Sequence, residues 1–311
     1  MISFNTNIDF IKKGKYFFIG SMLFILISIL LVSFKGLNFG MDFTGGSGLK
    51  LEIFSETTPI NQEKLKEIIN SNNLIKTEYL IKQSTKSFSI ESQEEFDDDL
   101  IISTINDYKN DNGESIYSCD ILRSGMIGPR MASELAISAA WALGIAAIMI
   151  LIYITFRFNS FFALGSIIAL IHDIMIVVGI FSLFDLQIQL PIIAAFLTIL
   201  GYSLNDTIVV FDRIRENLSL AKTKDAIDSI TNKSINQTLS RTVLTSLTTL
   251  IVLIILYFVG GEEIALFTLA LIIGVVVGTY SSIYIASFTF SKLYNKYGHL
   301  LNQDNSEEIE N

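Results

Sequence analysis

The 311-residue chain is half hydrophobic, has a mean hydropathy of +0.51 and carries only 17% charged residues. Soluble domains carry about a quarter, and the deficit lies in residues 131–290, which excludes one large soluble core and points to a membrane region joined to a polar domain over 36–130. The formal charge of −9 comes largely from Glu91–Asp99 and Asp304–Glu310, with no basic patch to suggest nucleic acid; one cysteine, Cys119, excludes an internal disulfide framework.

A span needs about 20 apolar residues to cross roughly 30 Å of hydrocarbon. Six stretches qualify: about 16–34, 134–156, 161–183, 190–211, 241–259 and 263–288. Lys12, Lys13 and Lys15 give the first the look of a signal peptide. Its apolar run exceeds an h-region, however, and no small-x-small site closes it, so it reads as a retained anchor. The last is long enough to tilt or bend.

Basic residues set the orientation. Twelve lie at Lys12, Lys13 and Lys15, in the 2–3 loop (Arg157), in the 4–5 connection (Arg213, Arg215, Lys222, Lys224, Lys233 and Arg241) and at Lys292 and Lys296. The opposite short loops, Phe184–Gln189 and Gly260–Glu263, have none. The other ten lie between Lys35 and Arg130, in a domain long enough to cross regardless of charge. Both termini are therefore expected in the cytoplasm and the large domain outside, in a bacterial inner membrane once the resemblance below is taken in. The division is a cytoplasmic N-terminus (1–15), a first span (16–34), an extracytoplasmic domain (36–130), five membrane helices (131–290) and a cytoplasmic acidic tail (291–311).

Within the domain, Ser47–Phe54 alternates as a strand does. Asn61–Asn70, after Thr58-Pro59, has helical spacing with Leu65, Ile68 and Ile69 on one face. Thr77–Gln83 and Ser87–Glu91 read as strands joined by a tight turn. Phe96–Tyr108 places Leu100, Ile101, Ile105 and Tyr108 on one helical face, and Ser115–Ile121 reads as a last strand. The order βαββαβ suggests a ferredoxin-like sandwich, a fold that hosts many functions. The fold class is thus a polytopic α-helical membrane protein of six spans with one extracytoplasmic α+β domain. Flanking the domain are Gly40–Gly48, with Asp42 beside a buried-looking Phe43, and Gly125–Pro129. These read as tight linkers, or as a joint that holds one geometry or moves between two.

Ionisable groups in spans are costly and face the bundle interior or a watery path. His172-Asp173 lie mid-way along the third span, Asn205-Asp206 in the fourth, and Arg241 at the entry to the fifth. Tyr202, Asp206, Val209 and Arg213 share a face; so do Arg241, Thr245 and Thr248, with Thr242 and Thr249 beside it. If the faces meet, arginine favours the ionised carboxylate and the apolar surroundings the protonated one, as a proton relay needs. The alternative is a fixed Asp206–Arg241 ion pair, or an Arg241 that snorkels to the interface. His172-Asp173 suit either a relay or local packing, and Gly274–Gly278 is a small-xxx-small surface for close helix contact. Two histidines and one cysteine give no basis for a structural zinc site, and without a phosphate-binding loop ATP hydrolysis is not the obvious energy source.

Asp42-Phe43-Thr44-Gly45-Gly46, Ile127-Gly128-Pro129, His172-Asp173, Gly201–Asn217 and Ser240-Arg241-Thr242 together resemble the SecD/SecF family of bacterial protein-export proteins, on its SecF side. The family belongs to the proton-coupled resistance–nodulation–division superfamily. The likeness runs to about residue 290, and the 201–217 stretch is highly specific. It implies pairing with SecD in a twelve-helix pseudo-twofold assembly, association with the SecYEG channel and often YajC, and work after SecA has started a preprotein through. No cofactor is implied; protons are the coupling ion, and membrane lipid surrounds the spans. The family's membrane aspartate falls on Asp206, its arginine on Arg241, and its Asp-Phe-x-Gly-Gly element on Asp42, Phe43, Gly45 and Gly46. Two departures are Arg130–Glu134, where small or polar residues are usual first, and Ala286-Ser287-Phe288, which lacks an expected proline.

The resemblance leads to a proton-coupled subunit in which Asp206 carries the proton, Arg241 sets its affinity, and Asn205 and Thr245 carry hydrogen bonds. The Gly45-Gly46 and Gly128-Pro129 segments act as hinges. The rival readings are a small-molecule or lipid exporter of the same superfamily and a passive subunit that holds SecD. No nucleophile–base constellation points to an enzyme.

Overall fold

The computed structural model describes residues 8–55, 59–77, 79–83, 87–109, 115–158, 160–221 and 226–307. It divides into two compact units, Met1–Asn38 with Trp141–Asn311, and Phe39–Ala140. Thr58, the tight turn expected at 84–86, Lys222, Lys224 and the last residues of the tail (308–311) fall outside the described residues.

Helix α1 (Phe10–Phe34) belongs to the first unit. The second opens with a short helix, α2 (Met41–Thr44), followed by β1 (Gly46–Ser55), α3 (Gln62–Ser71), β2 (Tyr79–Gln83), β3 (Ser87–Ser92), α4 (Asp98–Asn106) and β4 (Tyr117–Ile127). The sheet order is β2-β3-β1-β4, antiparallel throughout. Each helix-linked strand pair is therefore split by a third strand. Asn61 caps α3 by accepting from Lys64 N at 2.8 Å, and Asp97 caps α4 by accepting from Leu100 N at 3.1 Å. Leu65, Ile68, Ile69, Ile101 and Ile105 close over Leu49, Leu51 and Ile90. Leu100 does not join them: it is half exposed, because the i,i+4 pair Ile101–Ile105 sets the buried face of α4.

The last strand runs to Ile127, six residues past its expected end. Gly125, Met126 and Ile127, read as linker, pair with Gly48, Ser47 and Gly46. A bulge makes Leu122 the extra residue, since Arg123 lies opposite Lys50 and Ile121 opposite Leu51. Glycine weakens a strand's sequence signal, and the pairing partner, about 80 residues away, is not visible locally.

The remaining helices are α5 (Pro129–Arg157), α6 (Ser160–Leu183), α7 (Leu190–Leu220), α8 (Ile227–Val259) and α9 (Glu262–Ser281). The last passes through a π-turn (Ser282–Ala286) into α10 (Ser287–Glu307). Among the described residues, six helical stretches are long and apolar enough to cross a membrane, as the hydropathy predicts. The polar run 227–240 is also helical, so α8 begins ahead of its apolar part. The proline missing near 286 is replaced as an irregularity by the π-turn, where Ser287 Oγ donates to Ser282 O at 2.8 Å.

Small residues let the helices approach closely. Gly14, Ser21 and Ser28 of α1 are buried at seven-residue spacing. A Cβ on Gly179 of α6 would lie 2.0 Å from Ser28 Oγ. A Cβ on Gly274 of α9 would lie 2.3 Å from Ile199 Cγ1 of α7, and Gly278 sits against Ser203, so this pair acts as the close-contact surface its spacing predicts. Asn232 and Asn236 of α8 hold the start of α1: Asn232 Oδ1 accepts from Phe10 N at 2.7 Å, and Asn236 Oδ1 from Ile8 N at 3.0 Å.

Candidate functional site

The buried face of α7 carries Ile199, Ser203, Asp206, Thr207, Val210, Ile214 and Asn217. The spacing of three and four residues keeps this stripe against its neighbours. It delivers two hydroxyls and a carboxylate into the bundle. Asp206 is only 2% exposed.

The partner of Asp206 is Ser246 of α8, whose Oγ donates to Asp206 Oδ2 at 3.4 Å. Ser246 Oγ also lies 2.6 Å from Thr279 Oγ1 of α9 and 2.9 Å from Thr242 O, and Thr279 Oγ1 donates to Val275 O at 2.7 Å. The hydroxyl of Ser246 has one proton and three oxygens within reach. Its proton can go to only one of them at a time.

Among the described residues, neither Arg241 nor Thr245 bonds directly to the carboxylate. Both are exposed, and Thr245 Oγ1 donates within its own helix, to Arg241 O and Thr242 O. Among the described residues no ion pair within 4 Å joins Asp206 to Arg241. Ser246 is five residues beyond Arg241, about 7.5 Å along the helix axis. The buried stripe of α8 is Thr238, Thr242 and Ser246, about 100° round from Arg241–Thr245–Thr248. Asn205 is exposed beside Asp206. Tyr202 reaches Thr249, at 3.5 Å, while Arg213 turns to Gln237 and Glu216, both at 2.6 Å.

His172 and Asp173 form a second buried cluster, both 0% exposed. His172 Nδ1 lies 2.9 Å from Asp173 Oδ1. Ser203 Oγ and Ser281 Oγ donate to Asp173 Oδ2 at 2.5 and 2.8 Å. Ser203, Ser246, Thr279 and Ser281 were not singled out in the sequence. Serines are common in spans, and what marks these four is their depth beside a carboxylate, which only the helix pairing reveals.

The specific stretch at 201–217 has a second use. Asp212 Oδ1 accepts from Arg157 Nη2 and Arg215 Nη2, each at 2.9 Å, and both guanidiniums lie about 5 Å from the Phe158 ring. The end of α5 is thereby fastened to α7.

In the α+β unit, the two flanking segments lie against each other. Gly46 pairs with Ile127, and a Cβ on Gly45 would stand 3.1 Å from Ile127 O and 3.3 Å from Pro129 Cα. Gly45 and Gly46 have φ of +75° and +126°, which L side chains rarely adopt. Phe43 is half-buried rather than buried, edge-on to Phe39 at 5.9 Å. Gly128 precedes Pro129, which opens α5 as the N-terminal position of a helix permits. Arg130 and Glu134 form an exposed i,i+4 pair at 3.0 Å.

Fold and site together define a multi-pass membrane protein with carboxylates buried among hydroxyls and a small α+β unit between its first two spans. Residues 108–296 match the family described as protein export membrane protein SecD/SecF, C-terminal, and residues 31–50 match the SecD/SecF GG motif. Protein translocase subunit SecF of Desulfurispirillum indicum is 41% identical over 296 residues, covering 90% of each chain. That of Calditerrivibrio nitroreducens is 41% identical, covering 92% of this chain and 94% of its own. The crystal structure of SecDF, a translocon-associated membrane protein from Thermus thermophilus, matches with a TM-score of 0.82 at 36% identity over 94% of this chain. This chain spans 39% of that longer one. The chain belongs to the SecD/SecF family, and its full-length relatives there are SecF subunits.

Proposed function

We propose that this protein is the SecF subunit of the protein-export machinery and that it uses the proton gradient, through Asp206, to promote the later stage of preprotein translocation through SecYEG, after SecA has acted. Its direct partner is SecD, with YajC alongside. Both termini lie in the cytoplasm of a bacterial inner membrane, and the α+β unit lies outside. The observation that carries the proton role is a carboxylate 2% exposed within the spans, facing one hydroxyl rather than a fixed cation.

Ionised, Asp206 draws the Ser246 proton to its Oδ2. Protonated, it becomes the donor, and Ser246 turns its own proton to Thr242 O, 2.9 Å away. Each change rearranges hydrogen bonds between α7, α8 and α9. Arg241, exposed on α8, sets the proton affinity of Asp206 by its charge rather than by a direct ion pair. Moving a proton through 100 mV supplies about 2.3 kcal/mol, so a few protons bias a two-state motion of the outer unit. The joint at Gly45, Gly46 and Ile127 is the place where that motion meets the domain. The pairing with SecD is supported by the SecDF likeness and by the open apolar face of α5, where Ile137, Trp141, Ile145 and Ile148 are exposed.

The test is preprotein processing in cells depleted of their own SecF and supplied with wild type or Asp206→Asn at matched levels, with SecD recovery checked by pull-down. A mutant that recovers SecD yet accumulates unprocessed preprotein supports the reading. A mutant that recovers SecD and exports normally defeats it.

A further inference from the structure

We propose that His172 and Asp173 form a second proton-binding site, with His172 Nε2 as the atom that takes up and returns the proton. The first ground is hydrogen-bond inventory. Ser203 and Ser281 both donate to Asp173 Oδ2, and His172 Nδ1 faces Oδ1. A carboxylate that accepts all three fixes the neutral ring with its proton on Nδ1. That leaves Nε2 a bare lone pair. It is buried, and among the described residues it has no partner. Buried polar nitrogens are ordinarily paired, and such an atom within an apolar span points to a ligand that comes and goes.

The ligand is a proton. A hydronium ion gives up one O–H bond, an N–H bond forms at Nε2, and water leaves; release reverses the step. Uptake takes the pair from a net charge of −1 to zero, the imidazolium facing the carboxylate across Nδ1–H. Neutralisation is the favoured direction of charge change in an apolar span.

Few other titratable groups face the pair. From α9, the Tyr280 ring lies 6.0 Å from the imidazole, its hydroxyl held by Phe17 O and Ser21. Tyr284 of the π-turn lies tilted against the Tyr280 ring at 5.3 Å. From α7 comes Asp206, one turn past Ser203. The lysines of α1 stand only near its ends, and Lys292 of α10 is paired with Asp228 at 3.6 Å.

The site is linked to the first by shared helices. Ser203 and Asp206 lie on one face of α7, and Thr279 and Ser281 lie on α9 immediately before the π-turn. Protonation at either site, the Asp206 carboxylate or the His172 ring, changes the charge beside α9. The use of this second site in export rests on the reading of Asp206 above; its proton uptake does not.

The test uses the full chain in lipid bilayers with imidazole-¹⁵N histidine. The only other histidine, His299, is removed by His299→Gln, so all signal comes from His172. The expected result is a reversible change of Nε2 between unprotonated and protonated resonances as the pH is varied, with the midpoint moved or the change lost in Asp173→Asn. Ser281→Ala serves if that variant does not fold, and it moves the midpoint too. An Nε2 that keeps one state throughout overturns the proposal, as does a titration unmoved in both variants. The same titration in Asp206→Asn separates the readings: a titrating His172 with normal export defeats the role of Asp206 alone, and a silent His172 with lost export defeats the second site alone.

Discussion

Ser246 on α8 places its hydroxyl 3.4 Å from the Asp206 carboxylate on α7 and 2.6 Å from Thr279 on α9. One rotatable O–H therefore joins three helices at the depth of the carboxylate. Ser246→Ala removes the hydroxyl with little change in volume. A long hydrogen bond contributes about 1 kcal/mol, so proton-dependent export should fall roughly fivefold, less than in Asp206→Asn, with SecD recovery unchanged. Ser246→Thr keeps the hydroxyl and should restore most of the loss. In vesicles, the pH profile of export separates the two: the Ala variant should change its shape, and the Thr variant should not.

The distance between that arrangement and its sequence signal is one residue on α8. Arg241, Thr245 and Thr248 form one polar stripe, and Thr242, Ser246 and Thr249 another beside it. Both have helical spacing, and the helix is apolar on most of its circumference, so periodicity does not choose between them. The six spans were legible because length and hydropathy act within one segment. So was the buried carboxylate, because an acid in an apolar run has few places to go. Its hydroxyl partners were not, since Ser203, Ser246 and Ser281 acquire meaning only from which helix each faces. The extension of β4 through Gly125 was hidden for a similar reason: its partner, Gly46–Gly48, is distant in the chain.

The joint in the α+β unit gives a contrast between glycines. Gly46→Ala would place a Cβ 2.1 Å from Ser92 O at a φ of +126°. Backbone rather than a flexible side chain is in the way, so the substitution should cost about 3 kcal/mol or more. Gly125→Ala and Gly128→Ala meet nothing within 4 Å and should cost under ~1 kcal/mol. Limited proteolysis of membrane vesicles should cut the unit rapidly in the first variant and at the wild-type rate in the other two.

Cys119 supplies a pH-dependent probe of the same unit. It is 7% exposed on β4, and burial, followed by the negative charge of Asp120, pushes its thiol above the usual range. Raising the pKa of an acid in the folded state means that the neutral thiol is favoured there. The stability it contributes is fully present below the unfolded value, near 8.5, and is lost as pH rises through the folded one. Alkylation by a water-soluble maleimide should thus be slow in the folded protein and lag behind that of the denatured chain as pH is raised. As the only cysteine, it reports without ambiguity; equal rates for the two states at every pH would contradict the burial.

Close contact between α7 and α9 holds both carboxylate clusters, because Ser203 lies on one helix and Thr279 and Ser281 at the end of the other. The contact depends on Gly274, where a Cβ would come within 2.3 Å of Ile199 Cγ1 and 2.4 Å of its Cδ1. Gly274→Ala should destabilise the bundle by about 1–3 kcal/mol through overpacking. Ile199→Ala alone should also cost stability by opening a cavity. Combined, the new methyl occupies part of the space the isoleucine leaves, so the two losses should not add, and the double variant should unfold at or above the temperature of the less stable single variant. Thermal unfolding in detergent measures this. Strict additivity would mean that the helices separate rather than repack, and the hydroxyls of α9 would then leave both carboxylates together.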